Sequence, residues 1–228
     1  MGREELTLFP EIEPVRPEWE KKDYLLFLPG VKREESFLEI QSLEELASRA
    51  VDCNRCRLRS GCKQVVFGEG DKEAVMMLVG EGPGQVEDEQ GRPFVGPAGQ
   101  LLDRILEACE IRREEVYITN IVKCRPPGNR LPNPDEVAAC RGWLEAQIRL
   151  ISPRIIVCLG LLATRTVIEA KATMAGTHGQ WFKRGEVWMM SVYHPAALLR
   201  DPRLKKPAWE DFKLIRDKYR ELKRGETS

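Results

Sequence analysis

A chain of 228 residues, 42% hydrophobic and 32% charged, can bury one core and carry an appendage. It has no apolar run near the ~20 residues that span a bilayer and no signal-peptide pattern in its acidic first residues, so a cytoplasmic protein without a membrane role is expected. Its zero net charge divides into −5 over residues 1–50, −4 over 51–120 and +9 over 121–228, which fits either a basic face for phosphates or ordinary solvated helix surface.

Residues 1–41 contain four prolines and no sustained periodicity. They read as an extension, partly disordered or draped on the core and available to a protein partner, with the domain proper at 42–228. Ser42-Leu43-Glu44-Glu45 has the form of a capping box and predicts a helix that delivers the chain to Cys53. Short apolar runs at 75–80, 116–122, 155–160 and 187–193 then predict buried strands. Between them, Leu101, Leu102, Ile105, Leu106 and Cys109 mark one helix face, and Val137, Trp143, Leu144 and Ile148 another. This alternation predicts an α/β sandwich with a largely parallel sheet. Right-handed crossovers would gather the loops after the strands at one edge, where ligands bind.

The loop after the first strand reads Gly80-Glu81-Gly82-Pro83-Gly84-Gln85-Val86-Glu87-Asp88. A dinucleotide fingerprint would need glycine at position 85, and a second glycine- and proline-rich turn at 91–99 is read as leaving no helix directly after the loop. There is no Gly-Lys-Ser/Thr for an NTPase phosphate loop. What remains is a backbone pocket with two carboxylates, Glu81 and Glu87, and a ring, Phe94, on which a planar ligand could stack. An ordinary turn with Phe94 in the core is the competing reading.

Asn120, near the end of the second strand, is costly to bury unless its amide is hydrogen-bonded. A carboxamide offers a donor and an acceptor, as the Watson–Crick edge of a pyrimidine requires, although structural asparagines are commoner. Beyond it, Arg125 and Arg130 are candidate phosphate contacts or plain surface. The loop after the last strand carries His194, Leu198, Leu199 and Arg200. Leucines there could wedge into a base stack, or start a core-facing helix.

Seven cysteines in a reducing compartment point to ligands or buried thiols rather than disulfides. Cys53-x-x-Cys56 and the pair Cys124 and Cys140 could hold zinc or a [4Fe–4S] cluster, and the wide second spacing favours the cluster. Cys62 competes as a ligand, whereas Cys109 and Cys158 read as core thiols.

Taken together, C-N-R-C at 53–56, G-E-G-P-G-Q-V-E-D at 80–88, G-R-P-F-V-G at 91–96, T-N-I-V-K-C-R-P-P-G-N-R at 119–130, Cys140 and H-P-A-A-L-L-R at 194–200 resemble the thermostable, iron–sulfur family of uracil-DNA glycosylases, often called family 4. The resemblance covers residues 53–200 and leaves the extension unmatched. It implies a three-layer α/β/α sandwich around a four-stranded, mainly parallel sheet. It further implies a structural [4Fe–4S] cluster on Cys53, Cys56, Cys124 and Cys140, and a monomer that acts on uracil-containing DNA. A sister group that traps DNA covalently has a histidine-bearing insertion after the strand holding Asn120. Residues 124–130 contain no histidine, so hydrolytic turnover is expected.

For that chemistry, His194 would donate to uracil O2 as negative charge develops there. Asn120 would read O4 and N3–H and reject cytosine. Phe94 would stack on the base, with Glu81, Gly82 and Pro83 lining the pocket. Gly82 stands where related enzymes carry an aspartate, so Glu87 or Glu81 would orient water or offset the cationic sugar, with Glu87 weakly preferred. Arg125, Arg130, Arg200, Lys205 and Lys206 would contact phosphates, and Leu198 and Leu199 the base stack. A non-catalytic binder of deaminated or single-stranded DNA, and a redox or structural metal protein, are the alternatives.

Overall fold

The computed structural model describes residues 35–224, so residues 1–34 of the expected extension lie outside the described residues. It begins with α1 (Glu35–Leu38) and α2 (Leu43–Val51). Ser42 caps α2, its hydroxyl accepting from the Glu45 N–H at 3.1 Å and satisfying one orphan donor of the first turn. Phe37 and Ile40, at the end of the expected extension, are buried in the core. The Phe37 ring meets Trp143 edge-on at 4.8 Å. Two apolar residues without a periodic run leave no sequence signal for this contact.

Next come α3 (Leu58–Gly61), the short strand β1 (Glu69–Gly70) and β2 (Met76–Gly80). After them, α4 (Gln85–Gln90) and α5 (Pro97–Ala108) lead to β3 (Tyr117–Asn120), and α6 (Pro134–Ile151) leads to β4 (Ile155–Leu159). Beyond α7 (Leu161–Val167) and α8 (Met174–Thr177), β5 (Trp181–Arg184) and β6 (Val187–Val192) form a hairpin. The chain then runs through α9 (Pro195–Arg200) and α10 (Lys205–Arg224).

The sheet order is β1-β3-β2-β4-β6-β5. The four predicted strands form its parallel centre, and β1 and β5 add an antiparallel strand at each edge, which corrects the four-stranded expectation to six. Neither edge strand contains a buried apolar run, the feature by which strands were sought. Period-two alternation divides the core in two. Met77 and Val79 pack on the side of α2 and α6, while Met76 and Leu78 pack on the side of α5 and α10. The result is the expected α/β/α sandwich.

A second correction concerns α4, which runs directly from the glycine-rich loop after β2. Gly84 is its N-cap and Gly91, at φ 72°, its left-handed C-terminal stop. The glycines bound this helix instead of breaking it. The sheet register sets Gly80 level with Asn120 and Leu159 level with Val192, so the loops after all four parallel strands open along one edge.

Gly99 in α5 packs against the backbone of Phe94, where an added Cβ would meet the carbonyl oxygen at 1.9 Å; one on Gly61 would meet nothing within 4 Å. Gly99→Ala is therefore expected to destabilise the fold by about 1–3 kcal/mol or more. Gly61→Ala should shift it by less than about 0.5 kcal/mol. Urea midpoints of the two variants check this.

Candidate functional site

A cleft of about 440 Å³ opens at the strand ends, within the size range of small-ligand sites. Glu81, Gly82, Pro83 and Phe94 line it from the loops after β2, Glu87 from α4, Asn120 from the end of β3, Arg130 from the next loop, and His194 and Arg200 from the segment after β6. Arg125, Leu198, Leu199, Lys205 and Lys206 lie beyond the lining. Leu198 is buried in the core, which corrects its expected place on the DNA side; Leu199 is 43% exposed. Arg130 is also not a free cation, because its guanidinium forks onto the buried Glu136 at 2.7 and 2.8 Å. The lining further includes Tyr193, Met174 and Leu131, which sequence reasoning missed. Tyr193 directly precedes His194 and was readable as a strand end, whereas Met174 and Leu131 carry no local signal.

Asn120 and Phe94 meet over Gly80. A Cβ at Gly80 would lie 2.5 Å from both Asn120 Oδ1 and Phe94 Cζ, so only glycine permits the approach. Asn120 is 1% exposed, and its Oδ1 has no hydrogen-bond partner. An unsatisfied buried oxygen costs roughly 1–3 kcal/mol, a burden typical of a group reserved for a ligand. Its backbone is held by Lys123, whose buried ammonium donates to the Asn120 carbonyl at 2.8 Å, Thr119 Oγ1 at 2.6 Å and Gln147 Oε1 at 2.6 Å. These three acceptors match the three donors of the protonated side chain, whose pKa burial lowers to about 7.

The two carboxylates behave differently. Glu87 Oε1 accepts the backbone N–H groups of Val95 at 3.0 Å and Gly96 at 2.7 Å. It thereby fixes the turn that carries Phe94 in a left-handed conformation, φ 52°. Glu81 sits beside Gly160 near His194, since a Cβ at Gly160 would touch Glu81 Oε1 at 2.9 Å and His194 Cβ at 3.0 Å. Burial pushes its pKa up, eased by the Leu162 N–H and the charge of Arg200. Gly82 has little room for a side chain, because its Cβ would lie 2.9 Å from Val122 Cγ2.

His194 caps α9, with Nδ1 accepting from the Ala196 N–H at 3.1 Å. A neutral ring then carries its proton on Nε2. Burial, aided by the positive charge of Arg200, lowers its pKa to about 4. At neutral pH it is an uncharged N–H donor, and its ring lies 5.6 Å from that of Phe94.

Cys53, Cys56, Cys124 and Cys140 line one small cavity with Trp143 and Arg55. Trp143 Nε1 donates to Cys53 Sγ at 3.3 Å and the Lys123 N–H to Cys140 Sγ at 3.3 Å. Burial raises the thiol pKa of Cys140 to about 11 and that of Cys124 still further. Among the described residues, no three His, Cys, Asp or Glu side chains stand at the spacing of metal ligands. Even so, four cysteines around one cavity, with N–H groups aimed at the sulfurs of two of them, have the chemistry of an anionic thiolate site. Cys62 lies near Cys124 and helps to raise its pKa, while its own thiol faces the Arg59 carbonyl at 3.5 Å. Cys109 and Cys158 are buried in the core, as expected. Arg57, just past Cys56, reaches Glu136 Oε1 at 2.9 Å and so pins the cysteine segment to the start of α6.

The sequence model of a family described as the uracil DNA glycosylase superfamily matches residues 67–213. A type-4 uracil-DNA glycosylase of Sulfurisphaera tokodaii is 42% identical over 187 residues, covering 78% of this chain and 85% of that protein. One of Thermotoga maritima is 44% identical over 163 residues, covering 70% and 84%. A type-5 uracil-DNA glycosylase of Pyrobaculum aerophilum is 32% identical over 188 residues, covering 68% and 83%.

The depressed pKa of His194 has a measurable sign. The unfolded chain, with an ordinary value near 6.5, takes up the proton first. The stability linked to this group is present above that pH and is lost as pH falls toward about 4. The His194 Cε1 resonance should titrate near pH 4 by NMR, and a midpoint at 6.5 or above contradicts the burial argument.

Proposed function

The chain belongs to the uracil DNA glycosylase superfamily, and on that premise we propose that it flips uracil out of DNA and hydrolyses its bond to deoxyribose, in the manner its type-4 relatives are named for. One observation carries the reading: the unsatisfied amide of Asn120, the ring of Phe94 and the neutral imidazole of His194 share a single cleft. Asn120 Oδ1 accepts uracil N3–H while its N–H₂ donates to O4. Cytosine, with an acceptor at N3 and a donor at N4, opposes both. Phe94 stacks on the base, held in place by Glu87.

The bond between C1′ and N1 breaks, leaving an oxocarbenium-like sugar and a uracil anion with charge on O2. The Nε2–H of His194 stabilises that anion without first losing or gaining a proton. Glu81, beside His194, orients the water that adds to C1′ and offsets the positive sugar. Glu87 has one oxygen committed to two backbone N–H groups and acts by positioning. Arg125, Arg200, Lys205 and Lys206 contact phosphates, consistent with the +9 charge of residues 121–228. The Glu136-bound Arg130 shapes the cleft wall, and Leu199 enters the base stack. A [4Fe–4S] cluster on Cys53, Cys56, Cys124 and Cys140 supplies structural cross-linking and no step of the reaction, with Cys62 as alternative partner. The protein works as a cytoplasmic monomer, and the part of residues 1–41 ahead of the core residue Phe37 is the contact for a protein partner. No described helix is long and apolar enough to cross a membrane.

Uracil release from a labelled oligonucleotide tests the activity. Asn120→Asp should abolish it or relax discrimination against cytosine, and unchanged rate and selectivity would make Asn120 structural. His194→Ala should slow single-turnover release by roughly 10²–10³-fold with DNA affinity nearly unchanged, while loss of the α9 cap lowers the melting temperature by only about 2–4 °C. Parallel losses in all three would point to a structural role.

Anaerobically purified protein should be brown and contain iron. A colourless preparation with one zinc would overturn the cluster assignment.

A further inference from the structure

Leu131 is 62% exposed, the highest value among the exposed large hydrophobic side chains of the described residues. Its backbone is nevertheless firmly held. Arg130 Nη1 donates to the Leu131 carbonyl at 3.0 Å and to Glu136 Oε2 at 2.8 Å. The same Glu136 oxygen takes the Asn133 N–H at 2.8 Å, and Pro132 between them is buried. A lone exposed leucine is ordinary on a protein surface. This one differs because it is presented on a fixed backbone and lines the cleft. Exposure forgoes hydrophobic stabilisation in the free protein, and a pre-ordered backbone lowers the entropy lost when a partner covers the side chain.

Its position selects the partner. Leu131 stands in the loop after β3, and Leu199 on α9 after β6. In the sheet, β3 and β6 lie on opposite sides of the β2–β4 pair, so the two leucines approach from opposite flanks. Arg200 lines the same cleft and Arg125 belongs to the same loop as Leu131. Apolar side chains set beside cations at the mouth of a base-sized cleft match stacked base faces next to phosphates.

We propose that Leu131 is a second wedge. When a base leaves the duplex for the cleft, Leu131 packs against the disturbed stack from the flank opposite Leu199, and the helix is held open by two apolar side chains. The proposal rests on the uracil-excising reading and goes beyond it by assigning a residue to strand separation. A single strand has no paired helix to hold open, so the contact matters for duplex substrate alone.

The test is single-turnover uracil release by the full chain, as purified, from one labelled strand offered alone or annealed to its complement. Leu131→Ala should lose roughly 10- to 100-fold on the duplex, the scale set by burying one leucine side chain. Its loss on the single strand should be at least about 5-fold smaller than on the duplex, and it should melt with the wild type, because the side chain is exposed in the free protein. Leu131→Met should recover most of the duplex rate. Equal losses on both substrates, or an undiminished duplex rate, overturn the wedge while leaving the uracil-excising reading standing. A wild-type chain that releases uracil from neither substrate overturns that reading and the wedge with it.

Discussion

The site depends on one close approach: the Asn120 amide and the Phe94 ring meet where Gly80 has no side chain. The approach is set by the parallel register of β2 and β3, which puts Gly80 and Asn120 level at the ends of their strands. Backbone hydrogen bonds extend the pairing past the strands, from the Ile121 N–H to the Gly80 carbonyl and from Val122 to Glu81. A methyl group at position 80 would drive the amide and the ring apart. The Asn120 amide and the Phe94 ring therefore owe their spacing to backbone pairing.

Two buried carboxylates extend this rigidity into loops that glycine and proline would otherwise leave loose. Glu87 gathers the N–H groups of Val95 and Gly96 and so fixes Phe94. Glu136 gathers Arg57, Arg130 and the Asn133 N–H, and these partners hold its pKa down to about 2 against the cost of burial. Hydrogen bonds to charged groups are worth roughly 1.5–3 kcal/mol each, and a buried carboxylate stripped of them is strongly destabilising. The loops thus gain order from charges that could not be buried unpaired.

Lys123 joins the two specialised parts of the molecule. Its ammonium grips the Asn120 carbonyl, while its backbone N–H reaches Cys140. One residue away, Cys124 enters the thiol cavity. The strand end that carries Asn120 and the segment that gathers the cysteines are therefore a single connected piece. Order at the thiol cavity is thereby passed to the end of β3.

The sequence by itself determined the four central strands, the Ser42 cap, the parallel sheet edge and the gathering of Glu81, Phe94, Asn120 and His194 at that edge. Alternation, caps and motifs are local signals, and each lies within a short stretch of chain. The edge strands β1 and β5 carry no such signal, and α4 was hidden because a glycine reads alike whether it breaks a helix or bounds one. Only the tertiary structure decided that Leu198 turns inward and Leu199 outward, that Arg130 is paired with Glu136, and that Glu87 serves backbone N–H groups beside Phe94. Each depends on which distant atoms fill the surrounding space. Leu131 shows the same division: its type is plain in the sequence, but its exposure on the cleft wall is a property of the assembled fold.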